Sequence, residues 1–171
     1  MADAGAACRY ALLHKRVLSE TTEIILGDVR RPAEILADPV VQSIIDFSQP
    51  VGLLLFAVLH HIEDGDNPGR FVAAFRDAMP GGSYMAISSL RLPGPELPEL
   101  RAITLEGEKV HNGPLGPVLW REDEEIRSWF DGWDMIEPGM VPLGDWRPPV
   151  PGHTPYPELQ YSFSGGVAKK R

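Results

Sequence analysis

Residues 53–69 read LLLFAVLHHIEDGDNPG, an unbroken apolar run that passes directly into two histidines and three acids. The run VGLLLFAV at 51–58 predicts a central strand of a parallel sheet, because such strands are apolar on both faces and are covered by helices on both sides. Ligands of open α/β sheets bind beyond the carboxyl ends of such strands. His60 and the polar residues that follow it are therefore predicted to lie at a ligand-binding edge.

The segments around this run alternate between strand patterns and helix patterns. Further strands are predicted at 23–28 (EIILGD) and 84–89 (YMAISS). This alternation predicts an α/β fold with a mostly parallel sheet, and a chain of 171 residues is within the usual range for one domain. The helix patterns lie at 6–20, 37–47, 66–82 and 121–133.

Two of the helices carry clear start signals. Asp38 and Asn67 are predicted N-caps, each followed by a proline, Pro39 or Pro68, at the first helical position. The helix at 121–133 is acidic at its start, as the helix dipole favours, and carries an apolar stripe expected in the core. The stripe consists of Ile126, Trp129, Phe130 and Trp133.

Composition and charge narrow the classes of partner and compartment. The net charge of -8 and the pI near 5.1 disfavour nucleic acid and anionic membranes, which are bound mainly through Lys and Arg. The longest apolar run is too short to span a bilayer, and the N-terminus has no leader-like pattern, so a cytoplasmic protein is expected. Cys8 is the only cysteine, which excludes an internal disulfide and a multi-cysteine zinc site.

The histidine pair has three possible roles. A metal site is disfavoured, because neighbouring side chains of an extended segment point in opposite directions and the acids do not have the spacing of a calcium loop. Catalysis by one imidazole is chemically reasonable, since its ordinary pKa lies near neutrality. The alternative for His60 and His61 is structural: one ring packs beneath the strand and the other caps a backbone group.

Several stretches resemble one family. FAVLHHIED at 56–64, within the longer match GDVRRPAEIL…YMAISS at 27–89, and then FDGWDMIEPGMVPLGDWRPP and SFSGGVAKK, are similar to the actinobacterial S-adenosyl methyltransferase family, a branch of the class I S-adenosylmethionine-dependent methyltransferases. The likeness covers roughly residues 10–90 and 118–171. It implies S-adenosylmethionine as cofactor and a small molecule as methyl acceptor.

The resemblance also implies site residues. Asp28 matches the acid that accepts a hydrogen bond from the adenine amino group, and His60 matches the residue that faces the reacting centre, where it is the candidate catalytic residue. The backbone of 57–59 matches the stretch that lines the sulfonium and ribose. The cofactor-binding residues implied in this way are Asp28, Val29, Ala57, Val58, Leu59 and His60.

The chain departs from the family at its start. Neither the D-x-G-x-G turn nor the acid that binds the ribose hydroxyls is present, so the resemblance implies an incomplete Rossmann-like fold without its first two strands. The family strand order, 3-2-1-4-5-7-6, then leaves 23–28 and 51–58 without their usual neighbours. We expect these strands to pair directly or between chains, which would give a homo-oligomer through exposed strand edges.

The resemblance divides the single domain, 1–171, into three parts. Residues 1–90 form the cofactor side, and 91–118 form a variable lid-like segment whose prolines disfavour a continuous helix. Residues 119–171 supply a C-terminal helix and antiparallel strands, with ELQYSFSGGV closing the sheet as an antiparallel edge strand. The alternative to an active enzyme is a truncated or non-catalytic remnant that acts as a binding or oligomerisation module.

Overall fold

The computed structural model describes residues 22–111, 117–148, 150 and 160–171. The predicted helix at 6–20 and Cys8 lie outside these residues. In chain order, the helices are α1 (Pro32–Ala37), α2 (Pro39–Ile44), α3 (Pro68–Ala78), α4 (Pro98–His111) and α5 (Asp123–Ser128). The strands are β1 (Gly52–Phe56), β2 (Tyr84–Leu90), β3 (Asp134–Met135), β4 (Val141–Pro142) and β5 (Phe163–Lys169).

The five strands form one sheet in the order β1-β2-β5-β3, and β4 also pairs with β5. β1 and β2 run parallel, joined by α3. β5 runs antiparallel to β2, β3 and β4. The predicted α/β fold with an antiparallel C-terminal strand is confirmed.

The local start signals form as predicted. The Asp38 side chain accepts hydrogen bonds from the amides of Val40 and Val41, at the start of α2. Asn67, in a left-handed conformation (φ 56°), caps α3 by accepting from the amide of Arg70. Such caps satisfy amides that have no partner inside the helix.

One face of the sheet carries the core. Leu55 of β1 and Ile87 of β2 lie side by side and share a buried cluster with Val72 of α3 and Ile126 of α5. The residues of the predicted stripe are all buried, but the helix is shorter than predicted: α5 ends at Ser128, and Trp129, Phe130 and Trp133 lie beyond it. The helices that cover this face therefore come from the connections after β1 and after β2.

The other face of β1 differs from the prediction. Leu54 is 64% exposed and Phe56 is 55% exposed, so the expected helix cover on both faces is wrong for the described residues. The reason is that α3 and α5 pack on the same face, that of Leu55. In the described ranges no strand pairs with the outer edge of β1.

The predicted strand at 23–28 is also wrong. Residues 22–28 form no strand and do not pair with β1, so the direct pairing expected from the sequence does not occur. A strand is defined by its ladder, and a segment without a partner strand leaves its backbone groups to solvent. Pairing between chains stays a prediction.

Helix α4 lies in the proline-rich segment that was expected to be broken. Pro98 opens this 14-residue helix, and the helix contains no further proline. Proline is tolerated in the first turn, where its missing N–H has no helical acceptor. No helix of the described residues is long and apolar enough to cross a membrane.

Candidate functional site

Two polar segments meet beside the carboxyl end of β1. Arg30 connects them: its guanidinium binds the Asp28 carboxylate and also lies 3.3 Å (Nη1) from Oδ2 of Asp66. Asp28 is the last residue of the segment 22–28, and Asp66 belongs to the acidic turn after β1. The structure therefore brings together two of the regions that the sequence assigns to the ligand edge.

Asp28 is held by Arg30 through both carboxylate oxygens. The backbone amide and Nε of Arg30 donate to Oδ1, each at 3.0 Å, and Nη2 donates to Oδ2 at 2.8 Å. The hydrogen bonds from Arg30 lower the pKa of this carboxyl below its ordinary value. The neighbouring Val29 packs partly buried against the core cluster.

Ala57 ends β1 in a left-handed conformation. Its φ is 53°, a region that costs a non-glycine residue of order 1 kcal/mol. Its amide donates to the carbonyl of Ser88 at 3.1 Å and lies 3.2 Å from the Ser88 hydroxyl oxygen. The chain thereby leaves the sheet sharply, through Val58, and enters a one-turn 3₁₀ helix at Leu59–His61.

His60 lies buried in that turn. Leu59 belongs to the core cluster, and His60 itself is 5% exposed. Its Nδ1 is buried and has no hydrogen-bond partner among the described residues. Its ring lies 4.3 Å from the His61 ring, centroid to centroid, and meets the edge of Phe163 at 6.2 Å.

The surroundings of His60 keep its ring uncharged. Burial lowers its pKa to about 4, and the charges of His61 and Arg121 act in the same direction. A buried imidazolium without a counter-charge is disfavoured because the low dielectric interior does not solvate it. Near neutral pH the ring is a neutral imidazole with one acceptor nitrogen.

His61 has a different position. It is exposed, and its Nδ1 lies 3.2 Å from the carbonyl oxygen of Pro117. A carbonyl can only accept, so Nδ1 of His61 carries the proton. Of the two structural roles expected for the pair, His61 thus binds a backbone group and His60 packs in the interior.

Sequence analysis missed Arg121. Its side chain is buried and donates to the carbonyls of Leu59 and Ile62, at 3.1 and 2.7 Å, and to the carboxylates of Asp64 and Glu125, each at 2.8 Å. In the helix predicted at 121–133, Arg121 and Glu125 are four residues apart and would share a face, but Arg121 lies before the observed start of α5. No local pattern predicts the contacts with the turn after β1, which is about 60 residues away in sequence.

The comparison with protein families covers nearly the whole chain. The family model described as S-adenosyl methyltransferase matches residues 7–171. The chain belongs to the S-adenosyl methyltransferase family. The predicted family is confirmed, and its description implies S-adenosylmethionine as the cofactor of the family.

Several longer proteins of known structure are similar to this chain. A candidate methyltransferase from Thermobifida fusca is 31% identical, with a TM-score of 0.80 over 96% of this chain and 59% of that one. A DUF574 family protein from Streptomyces avermitilis is 25% identical, with a TM-score of 0.75 over 85% and 53%. A SAM-dependent methyltransferase from Anabaena variabilis shares the fold at 15% identity, with a TM-score of 0.57 over 98% and 65%.

The methyltransferase-like fold predicted from the resemblance is confirmed by these structures. The chain spans 53% and 59% of the length of the Streptomyces and Thermobifida proteins. Among the curated proteins, none matches this chain.

The described residues fit one end of the family cofactor. Asp28 has a carboxylate that could accept from an amino group in place of Arg30, and the buried Nδ1 of His60 has no hydrogen-bond partner among the described residues. The described residues include no counterpart of the glycine-rich turn or of the ribose-binding acid. The 22–111 and 117–148 ranges, with 150 and 160–171, also hold no group of three or more metal-ligating side chains placed around one point.

Proposed function

We propose that this chain takes part in methyl transfer from S-adenosylmethionine to a small molecule with an O–H or N–H nucleophile. The observation that carries the proposal is the buried, neutral His60, whose Nδ1 has no hydrogen-bond partner among the described residues and whose turn is followed by Asp66, which Arg30 links to Asp28. Family membership supports the reaction class. The cofactor supplies an electrophilic methyl group when bound.

Asp28 is proposed as the residue that accepts from the adenine amino group. The Asp28 carboxylate and the Arg30 guanidinium form an exposed ion pair, in which the Arg30 side chain is 50% exposed and the Asp28 side chain 37%. Exposed ion pairs usually contribute little to stability. An incoming amino group can therefore replace one Arg30 contact at little cost, and the ion pair does not block the role. Val29 and the backbone of Ala57, Val58 and Leu59 stay proposed neighbours of the cofactor.

His60 is proposed to hold the acceptor rather than to deprotonate it alone. A base with a pKa of about 4 is weak at neutral pH, where general bases work best with a pKa near the working pH. A neutral imidazole nitrogen still accepts a hydrogen bond and so orients the nucleophile. Orientation of two reactants supplies much of the rate in such a transfer.

Replacing His60 with alanine tests this role. We expect methyl transfer to fall at least about tenfold, the loss that corresponds to one hydrogen bond of about 1.4 kcal/mol. The assay measures S-adenosylhomocysteine produced in the presence of a panel of small alcohols, phenols and amines. Glu124→Ala, in the exposed first turn of α5, is the matched control. Equal activity of the His60 variant, or no turnover with any member of the panel, would contradict the proposal.

We further propose that the outer edge of β1 pairs with a second copy of this chain. In the described residues this edge has no partner, and Gly52–Phe56 contains neither charge nor proline. Natural sheets normally protect free edges with such residues. The lack of this protection and the exposed Leu54 and Phe56 support the predicted homo-oligomer.

The partner proposal predicts a concentration-dependent dimer. Sedimentation velocity over a wide concentration range should show association, and Leu54→Lys should shift the equilibrium to the monomer. The lysine variant should keep its far-UV spectrum, because position 54 is exposed. A monomer at every concentration would contradict the proposal.

The predicted lack of nucleic-acid and membrane partners, the cytoplasmic location and the lid role of 91–118 stay predictions.

A further inference from the structure

Arg121 is a buried arginine whose contacts converge on the turn that carries His60. Its side chain is 2% exposed. Nη1 donates to the carbonyl of Leu59, and Nη2 donates to the carbonyl of Ile62 and to the carboxylate of Asp64. Nε donates to Glu125 of α5.

The same segment holds the turn at a third point. The amide of Leu119 donates to the carbonyl of His60 at 2.9 Å. The carbonyls at positions 59, 60 and 62 are thus bound by residues 119 and 121. The position of the turn therefore depends on the segment before α5 as well as on β1.

The charge of Arg121 is balanced where it is buried. The carboxylates of Asp64 and Glu125 each lie 2.8 Å from a guanidinium nitrogen. The planar fork of arginine serves four acceptors in fixed directions, whereas lysine offers a point charge on a flexible stem. Four acceptors in fixed directions therefore allow Arg121 to hold the turn 59–62 in one conformation.

We propose that Arg121 is a positioning residue for the reaction: it fixes the turn 59–62 and with it the place of the His60 ring, whose buried Nδ1 has no hydrogen-bond partner among the described residues. The proposal rests on the proposed function of His60. The titratable groups that face His60 are His61, from the same turn, and Arg121, from the segment before α5. β5 contributes the uncharged ring of Phe163.

Arg91 provides the matched control. It is also buried, with its side chain 9% exposed, and it binds Asp123 through two hydrogen bonds, of 3.0 and 2.6 Å. Its backbone forms a bridge with that of Arg121. Its side-chain hydrogen bonds go to Asp123 and not to the turn 59–62. A general loss of stability from a buried arginine should therefore appear in both variants.

The experiment compares Arg121→Lys with Arg91→Lys in the full chain. Proton exchange of the Ile62 amide, which donates to the Leu59 carbonyl, should become at least about tenfold faster in Arg121→Lys, because two charge-assisted contacts to the turn are weakened. The pKa of His60, followed by NMR, should rise from about 4 toward its ordinary value as water reaches the ring. Neither change is expected in Arg91→Lys.

Two results would overturn the proposal: no change in either readout for Arg121→Lys, or the same changes in Arg91→Lys. If Arg121→Lys does not fold, Glu125→Gln removes the charge partner of Nε at a 43% exposed side chain and should give smaller changes in the same direction. Its failure to do so would also overturn the proposal. Neither measurement requires cofactor or acceptor. A failure of the Arg121 proposal can therefore be distinguished from a failure of the proposed methyl transfer.

Discussion

Replacing Leu55 with alanine should lower the free energy of unfolding by about 2–5 kcal/mol, the usual cost of such a truncation in a packed core. The same replacement at Leu54 should cost less than about 1 kcal/mol, because that side chain already lies mostly in water. Urea denaturation with linear extrapolation measures both values.

The two alanine variants, at Leu54 and Leu55, together test whether only one face of β1 is packed. The two leucines are neighbours on β1, so both variants lose the same side chain and the same strand propensity. Leu55 is 6% exposed and belongs to the core cluster, whereas Leu54 is 64% exposed. The difference between the two losses therefore reports that only one face of β1 is packed. Similar losses at both positions would contradict this one-sided packing.

The second large effect is a loss of stability in mild acid that depends on His60. The unfolded chain takes up a proton at this ring below a pKa of about 6.5, whereas the folded ring does so only near pKa 4. In the interval between these values the unfolded state binds more protons, so stability falls as the pH falls. The stability that comes from keeping the His60 ring neutral is fully present above about pH 6.5 and is lost progressively as the pH falls toward 4.

The measurement compares the wild type with His60→Gln at about pH 7 and about pH 5. Each pH unit below 6.5 costs about 1.4 kcal/mol, so the wild type should lose about 2 kcal/mol from this ring over the interval. Most carboxylates stay ionised at about pH 5, so their titration contributes little to the difference in stability between the two pH values. The glutamine variant should show a shallower dependence on pH. Identical pH dependence in the two proteins would contradict a buried, neutral His60.

Local signals in the sequence predicted local structure well. The caps at Asp38 and Asn67 depend on one side chain and the next few amides, and they form as predicted. The residues of the stripe predicted at 121–133 are buried, although α5 ends at Ser128 and three of them lie beyond it. Features of this kind need no knowledge of distant segments.

Features that depend on distant partners were predicted less well. EIILGD has the composition of a strand, but a strand needs a neighbour, and the described residues offer it none. The segment after β2 is rich in proline, yet the positions of those prolines leave 98–111 free to form a helix. Arg121 was missed because its contacts join segments that are about 60 residues apart.

The candidate site residues stay predictions, but the structure shows where each segment lies. Arg30 connects Asp28 with the turn after β1, but the strand-end rule that predicted their proximity does not explain it, because 22–28 forms no strand. The roles within the site depend on burial, which sequence does not give. Only the structure shows that His60 is enclosed with a free nitrogen while His61 is exposed.

The most direct test of the account is a titration of the folded chain with S-adenosylhomocysteine, repeated with Asp28→Ala and with Asp77→Ala as the control on the exposed side of α3. We expect saturable binding in the wild type and in the control, and binding at least about tenfold weaker in Asp28→Ala, since a hydrogen bond to a charged group contributes about 1.5–3 kcal/mol. Equal affinity in Asp28→Ala, or no binding by a wild-type protein that unfolds cooperatively, would contradict the assignment of this edge as the adenine end of the cofactor site.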